Sequence, residues 1–165
     1  MHEQSIVLLN RAVAEEMSAV HQYMYFHFHC DDQGYDLLAG LFKRTAIEEM
    51  IHIERAAERI LFLKGEVKLE ASEAVQEIHE VRKMLERAAA MEEQSAKSYN
   101  EWANESGANA DSATKRLFED LVADEERHHD QYTTEMENIE KFGEGYLALQ
   151  SIERSKGLSA GTGAE

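Results

Sequence analysis

Residues 46–65 read AIEEMIHIERAAERILFLKG. In and around this stretch, apolar side chains recur at spacings of three and four residues, which is the period of one face of an α-helix. Two ionisable residues, Glu49 and His52, interrupt that face, and their spacing puts both side chains on the same side of the helix. The stretch therefore predicts a long amphipathic helix that carries a carboxylate and an imidazole toward the protein interior. The predicted face consists of Leu38, Leu41, Thr45, Glu49, His52, Ala56, Ile60 and Leu63.

The composition predicts helices along almost the whole chain. Proline is absent and glycine occurs nine times in 165 residues, while residues that favour helices dominate. The glycines divide the chain into helical segments at about residues 4–33, 36–64, 74–105 and 111–141, with a short fifth helix at 146–154. Short joins at Gly34 and Gly107 predict two antiparallel hairpins. We expect an all-α four-helix bundle over residues 1–154, with a long crossover between helices two and three and a short fifth C-terminal helix, followed by a flexible tail over 155–165.

Charge and cysteine content argue against several classes of protein. Seventeen Lys and Arg against 33 Asp and Glu give a formal net charge of −16, which opposes binding to nucleic acid and makes cations the natural partners. The single cysteine, Cys30, can form neither an intrachain disulfide nor a paired-cysteine metal site. Because we find no apolar stretch of secretory or membrane-spanning length, we expect a cytoplasmic protein with no membrane partner.

The sequence repeats itself at an offset of 76 residues. This offset aligns LNRAVAEE, from Leu9, with LERAAAME, from Leu85, and the alignment continues without a gap through a whole helical hairpin. Alanine and leucine identities are common between helices, but identities of Glu, Tyr and His are harder to obtain by chance. Helices one and two are thus predicted to be repeated as helices three and four, with pseudo-twofold symmetry. The chemically distinctive pairs are Glu16/Glu92, Tyr23/Tyr99, Glu49/Glu125 and His52/His128.

The repeat predicts a metal site in the middle of the bundle. Each of the four helices carries a glutamate on its core face, and Glu16 and Glu49 both lie roughly 24 Å from the first turn at the helical rise per residue. Four ionised carboxylates in an apolar interior would cost several kcal/mol each without a counter-charge. Two divalent metals would balance them, with His52 and His128 as neutral donors, and this mixture of oxygen and nitrogen suits iron or manganese. The alternative is a set of partly exposed residues on an ordinary acidic bundle, which a single Glu-x-x-His would not exclude.

With these residues the chain resembles the bacterioferritins, within the wider ferritin-like di-iron carboxylate proteins. The resemblance runs from Leu9 to about Ile152 and is most specific in AEEMSAVHQY around Glu16, in the stretch around Glu49, and in ADEERHH around Glu125. It implies a ferroxidase centre with two iron ions per subunit. Glu49 and Glu125 would bridge the irons, Glu16 with His52 would complete one site and Glu92 with His128 the other, and Tyr23 would lie beside the centre with Tyr99 as its pseudo-symmetric mate.

The resemblance also implies a function and an assembly. Such proteins oxidise Fe(II) to Fe(III) with dioxygen or hydrogen peroxide and store ferric mineral inside a homo-oligomeric shell of 24 subunits built from dimers. The segment GEGYLALQSI, from Gly143, resembles the short fifth helix that lines the fourfold axes of that shell. A ferredoxin is the partner expected for iron release.

Haem and an inner-surface iron site are two further features of the family. Met50 aligns with the methionine that binds haem b between two subunits, although a packing role at a dimer contact is the alternative. Some bacterioferritins also use a His and an Asp as an iron site on the inner surface. Here those positions hold Arg44 and Glu48, so we do not expect an inner site of that kind.

Two other functions compete with iron storage. A di-iron oxidase or peroxide reductase of the rubrerythrin kind would turn over without storing iron, but it usually carries a pair of CxxC motifs that Cys30 alone cannot supply. The other is a binding-only protein, either a DNA-protecting mini-ferritin or a bundle that holds metals without turnover. Mini-ferritins build their site between subunits rather than from a repeated set within one chain. His27 is expected to be a core histidine and Cys30 a small buried or interfacial residue. His21 and His29 are expected at the surface or at an interface. Tyr25 and Trp102 either line an interface or act as redox-active relays, and the sequence does not decide between these roles.

Overall fold

The computed structural model describes residues 2–161, and all of its regular secondary structure in that range is helical, with no strand. Four long antiparallel helices form the bundle, and a fifth helix follows them. The order is α1 (Glu3–Asp32), α2 (Asp36–Phe62), α3 (Val81–Ala108), α4 (Ser112–Phe142) and α5 (Glu144–Gly161). The predicted all-α four-helix bundle with a long crossover and a fifth helix is confirmed. None of the described helices combines the length and the apolar character needed to cross a bilayer.

Two hairpins, α1 with α2 and α3 with α4, make the bundle. At the first turn Gly34 takes a positive φ of 86°, and the amide of Tyr35 donates to the carbonyl of Cys30 at 2.9 Å. At the second turn the residue with positive φ is Ala110, at 58°, rather than Gly107, which lies inside α3. The sequence thus predicted the position of this turn, but not the residue that makes it.

The crossover between the hairpins is longer than predicted, because α3 begins at Val81 rather than near residue 74. Side chains of α1 bind its backbone in place of a helix. Asn10 donates to the carbonyl of Glu66 at 3.0 Å and accepts from the amide of Lys68 at 2.8 Å. Gln22 both donates to and accepts from the backbone of Gln76, at 3.0 and 2.8 Å. With these partners, backbone groups of the segment are satisfied without helix formation.

The fifth helix is also longer than predicted and extends beyond residue 154. Ser155 donates to the carbonyl of Ser151 at 3.1 Å, and Lys156 lies 3.2 Å from Glu153, so contacts along the helix continue past the expected end. Residues 155–161 of the predicted tail are therefore helical, and residues 162–165 lie outside the described part. The helix is attached near the first turn, where Gln150 accepts from the amide of Leu38 at 3.3 Å.

The core is divided into two apolar clusters with a polar layer between them. One cluster lies toward the α1–α2 turn and contains Tyr23, Phe26, Phe42 and Tyr132, all fully buried. The other lies toward the opposite end of the bundle and is built around Leu9, Ile60, Tyr99, Phe118 and Leu121. The interruption between them is the layer of the predicted metal ligands.

Candidate metal centre

The six predicted ligands converge in the polar layer, and each is at most 2% exposed. They form two overlapping groups, and within each group one donor atom per residue lies within 4.8 Å of all the others. Glu49 and Glu125 belong to both groups, as ligands shared between two metals would. The first group is Glu16, Glu49, His52 and Glu125, and the second is Glu49, Glu92, Glu125 and His128.

Both imidazoles direct Nδ1 at the carboxylates. Nδ1 of His52 lies 3.2 Å from Glu16, 2.8 Å from Glu49 and 3.0 Å from Glu125. Nδ1 of His128 lies 3.0 Å from Glu49 and 3.5 Å from Glu92. The two rings are 6.0 Å apart between centroids and inclined by 26°. Each imidazole is thus aimed at a different end of the carboxylate cluster.

The donor atoms fit a pair of cations. Several buried atoms of the cluster make no well-formed hydrogen bond among the described residues, and only the imidazole–carboxylate contacts given above reach them. They are both carboxylate oxygens of Glu49, one oxygen each of Glu92 and Glu125, and Nδ1 of His128. Buried polar atoms without well-formed hydrogen bonds are rare in folded proteins because their lost hydration is poorly compensated. Two divalent metals would supply partners for these atoms and would neutralise four carboxylates. Oxygen and imidazole donors without a thiolate suit iron or manganese.

Burial and mutual proximity shift the proton affinities of the cluster. Burial, together with the charges of Glu16 and its neighbours, raises the pKa of Glu49 and Glu125 well above the usual value. Burial alone would lower the pKa of His128, but contacts with Glu92 and Glu48 raise it to about 9. The pKa of His52 is also raised, because its contacts with three glutamates outweigh its burial. In the metal-free protein, protons therefore provide part of the charge balance that metals would otherwise supply.

Two buried tyrosines hold the outer glutamates. The hydroxyl of Tyr23, in α1, donates to Glu92, in α3, and the hydroxyl of Tyr99, in α3, donates to Glu16, in α1. Burial and the adjacent carboxylates raise the pKa of both phenols well above the usual value, so each remains a proton donor at neutral pH. The two contacts are related by the 76-residue offset, and each connects the two hairpins.

Two further carboxylates were not predicted from the sequence. Glu48 lies 2.8 Å from Nε2 of His128, and Asp124 lies 3.0 Å from Nε2 of His52. The two carboxylates are themselves related by the 76-residue offset of the repeat. That register was the signal that could have identified them. Glu48 thus contacts a histidine of the cluster, while Arg44 is an exposed residue of α2.

The other singled-out residues lie outside the cluster. Met50 is 47% exposed on α2. His27 is half-buried, with Nδ1 2.8 Å from the carbonyl of Ala39. Cys30 is fully buried, and its thiol contacts the sulfur of Met84 at 3.6 Å. His21 is exposed, His29 stacks on His79 with 4.4 Å between ring centroids, Tyr25 bonds His79 at 2.7 Å, and Trp102 packs on Tyr99.

Comparison with known proteins gives a consistent result. The family model described as a ferritin-like domain matches residues 6–142. The bacterioferritin of Desulfovibrio desulfuricans is 36% identical over 143 residues, which cover 87% of this chain and 80% of the relative. The bacterioferritin of Brucella melitensis is 33% identical over 136 residues, covering 82% of this chain and 84% of the relative.

Solved structures agree with the sequence relatives. The Desulfovibrio desulfuricans bacterioferritin, described with a di-iron site in different catalytic states, superposes with a TM-score of 0.88 at 34% identity, covering 90% of this chain and 86% of its own. The Rhodobacter capsulatus bacterioferritin, described with a metal-free dinuclear site and a haem iron, superposes with a TM-score of 0.87 at 30% identity. The match covers 91% of this chain and 94% of the Rhodobacter chain. Since sequence and fold agree over most of its length, the chain belongs to the bacterioferritin family.

Proposed function

We propose that this protein is an iron-storage ferroxidase that oxidises Fe(II) to Fe(III) with dioxygen or hydrogen peroxide and stores the ferric product inside a 24-subunit shell. The observation that carries the proposal is the buried layer of four glutamates and two histidines, whose donor atoms fall into two overlapping groups around shared carboxylates. A relative of 34% identity with a TM-score of 0.88 is described with a di-iron site, which supports iron as the metal.

The six residues divide into shared and terminal ligands. We assign Glu49 and Glu125 as the bridging pair, because they alone belong to both donor groups. Glu16 and His52 complete one iron site. Glu92 and His128 complete the other site.

The chain prepares the site in three ways. Burial of all six ligands excludes bulk water, so that charge interactions within the site are stronger than at the surface. Tyr23 and Tyr99 hold one oxygen each of Glu92 and Glu16, which leaves the other oxygen of each carboxylate for metal. The imidazoles give up their protons when Fe(II) binds, because a protonated Nδ1 cannot donate to a metal.

Two iron ions bound side by side supply two electrons together to one oxidant molecule. With hydrogen peroxide the balance is two Fe(II), one peroxide and two protons giving two Fe(III) and two waters. The high formal negative charge of the chain, −16, favours the attraction of Fe(II) to the assembled shell. We place the activity in the cytoplasm, with a ferredoxin as the reductant for iron release.

We also propose that haem b binds between two subunits through Met50 of each. Met50 is exposed on α2 between Ile47 and Ile51, which are 45% and 44% exposed, so its thioether lies on an apolar strip suited to haem or to a second subunit. A relative of 30% identity is described with a haem iron, which supports haem as the group that binds there. We expect the wild-type protein to show a haem absorption band, and we expect Met50→Leu to lose this band while its dimer stays intact.

The main experiment is aerobic addition of Fe(II) to the metal-free protein while ferric absorbance is recorded. We expect a fast phase that saturates near two irons per chain, followed by continued uptake of iron as soluble mineral. Glu49→Ala, which removes a shared ligand, should abolish the fast phase. Its control is Glu54→Ala, which removes an exposed glutamate of the same helix. Saturation followed by precipitation would indicate a di-iron enzyme without a store. The absence of a fast phase would refute the assignment of the six residues.

A further inference from the structure

Arg127 connects two carboxylates on the α2–α4 face of the metal centre. Its guanidinium donates to Glu48 of α2 and, at 3.1 Å, to Asp124 of α4. The three side chains are between 35% and 45% exposed, so the connection lies at the surface directly over the buried site. An ion pair in this position would ordinarily contribute little to stability.

What distinguishes this connection is the other contact of each carboxylate. Glu48, in the first hairpin, lies 2.8 Å from Nε2 of His128 in the second hairpin. Asp124, in the second hairpin, lies 3.0 Å from Nε2 of His52 in the first. When Nδ1 of each ring binds a metal, Nε2 keeps its proton and donates a hydrogen bond to the carboxylate. Such a contact fixes the tautomer and the orientation of a metal-binding imidazole.

Arg127 breaks the pseudo-twofold symmetry of the site. The 76-residue offset relates Glu48 to Asp124 and His52 to His128, but it relates Arg127 to Ile51. One guanidinium therefore holds both carboxylates, and the two halves of the site share it. Without it, both carboxylates would be partly exposed groups free to turn toward water.

We propose that Arg127 is a positioning residue that holds both histidines of the metal centre through Glu48 and Asp124. The inference rests on the proposed function only in taking the six-residue cluster as the place where metal binds. The guanidinium ties the two carboxylates together, and each carboxylate keeps one imidazole turned so that Nδ1 faces the metals. Its removal should loosen both histidines at once, although among the described residues the side chain of Arg127 has no hydrogen bond to either imidazole.

The chain contains a matched control for this proposal. Arg55 lies 3.0 Å from Asp120, and this ion pair also joins α2 to α4 at the surface. Arg55 and Arg127 are 34% and 45% exposed, so the two arginines occupy comparable environments. The Arg55 pair has no hydrogen bond to His52 or His128 among the described residues. If the loss of any ion pair between α2 and α4 weakened metal binding, replacing Arg55 would lower the affinity as much as replacing Arg127.

The test is titration of metal-free protein with Co²⁺, followed by its visible absorbance, for wild type, Arg127→Met and Arg55→Met. We expect two Co²⁺ per chain in all three. Affinity at both sites should fall about tenfold in Arg127→Met, at the lower end of the range for groups that support a metal ligand. Arg55→Met should match the wild type. Far-UV circular dichroism and thermal unfolding of the metal-free proteins would verify that both variants are folded.

A second comparison tests whether Arg127 acts through the two carboxylates. In a Glu48→Gln and Asp124→Asn background, adding Arg127→Met should change Co²⁺ affinity less than twofold, since the contacts that it supports are already altered. Equal affinities of wild type and Arg127→Met, or a full tenfold loss in that background, would overturn the inference. If wild type itself bound no Co²⁺ at the cluster, the proposed function would fail together with it.

Discussion

Loading the metal centre should expel protons, and their number follows from the contacts of the two histidines. In the metal-free protein, Nδ1 of His128 lies among carboxylates, and its pKa of about 9 is more than two units above the ordinary value for histidine. At pH 7 the imidazole is therefore predominantly protonated. The pKa of His52 is raised as well, so this ring is also protonated at pH 7. Both protons must leave when Nδ1 binds a metal.

We therefore expect at least two protons released per chain at pH 7 when two divalent metals bind, or at least one for each metal. The apparent affinity for each metal should then rise at least about tenfold for each pH unit around neutrality. At lower pH more protons should be released, because burial raises the pKa of Glu49 and Glu125. Near pH 9 the number should decline, since His128 then loses its proton before metal binds.

The assay is addition of Co²⁺ to metal-free protein in a weakly buffered solution that contains a pH indicator. Cobalt absorbance counts the metals bound, and the indicator counts the protons released in the same sample. Glu49→Ala, which lacks a shared ligand, is the control for protons displaced from the protein surface. Saturation at two metals with no proton released at pH 7 would contradict the inferred protonation of the histidines.

Four other outcomes are expected. Glu49→Ala and His128→Ala should abolish the fast phase of Fe(II) oxidation with unchanged helical circular dichroism, and normal rates in both would contradict the site. The metal-free protein should lose thermal stability as pH rises from about 6.5 to 9, because the raised pKa of His128 stabilises the folded state only while the ring is protonated. Phe118→Ala, at a fully buried ring, should lower the free energy of unfolding by about 3–5 kcal/mol in a denaturant titration. Asp111→Ala should cost about 1–2 kcal/mol in the same assay, because Asp111 caps α4 by accepting from the amide of Thr114.

The sequence predicted the elements that depend on periodicity. In α2, every residue of the predicted face except Leu63 is buried, since a spacing of three and four determines which side of a helix meets the core. The repeat placed Glu16 opposite Glu92 and Tyr23 opposite Tyr99, and these four side chains form the two tyrosine contacts. Periodicity and repetition are properties of the chain itself, so they could be recognised without coordinates.

Features that depend on partners far along the chain were missed. The start of α3 was placed too early because Asn10 and Gln22, more than 50 residues upstream, bind the backbone of the crossover. The helix ends were assigned to glycines, yet at the ends of α2 and α3 the residues with positive φ are Lys64 and Ala110. There the hydrogen bonds that close the helix end determine the backbone conformation. Arg127 was not singled out, since a charged residue on an acidic helix resembles any solvated one.

The distribution of ligands between the hairpins also determines how the chain is held together. Glu16, Glu49 and His52 belong to the first hairpin, and their pseudo-symmetric counterparts to the second, so neither hairpin contains a complete site. The crossover then acts as a tether that keeps two half-sites at a high effective concentration. Bound metal adds a link between the halves. After cleavage of the chain at exposed Leu69, we expect chelators to weaken the association of the two fragments, which still share the apolar core.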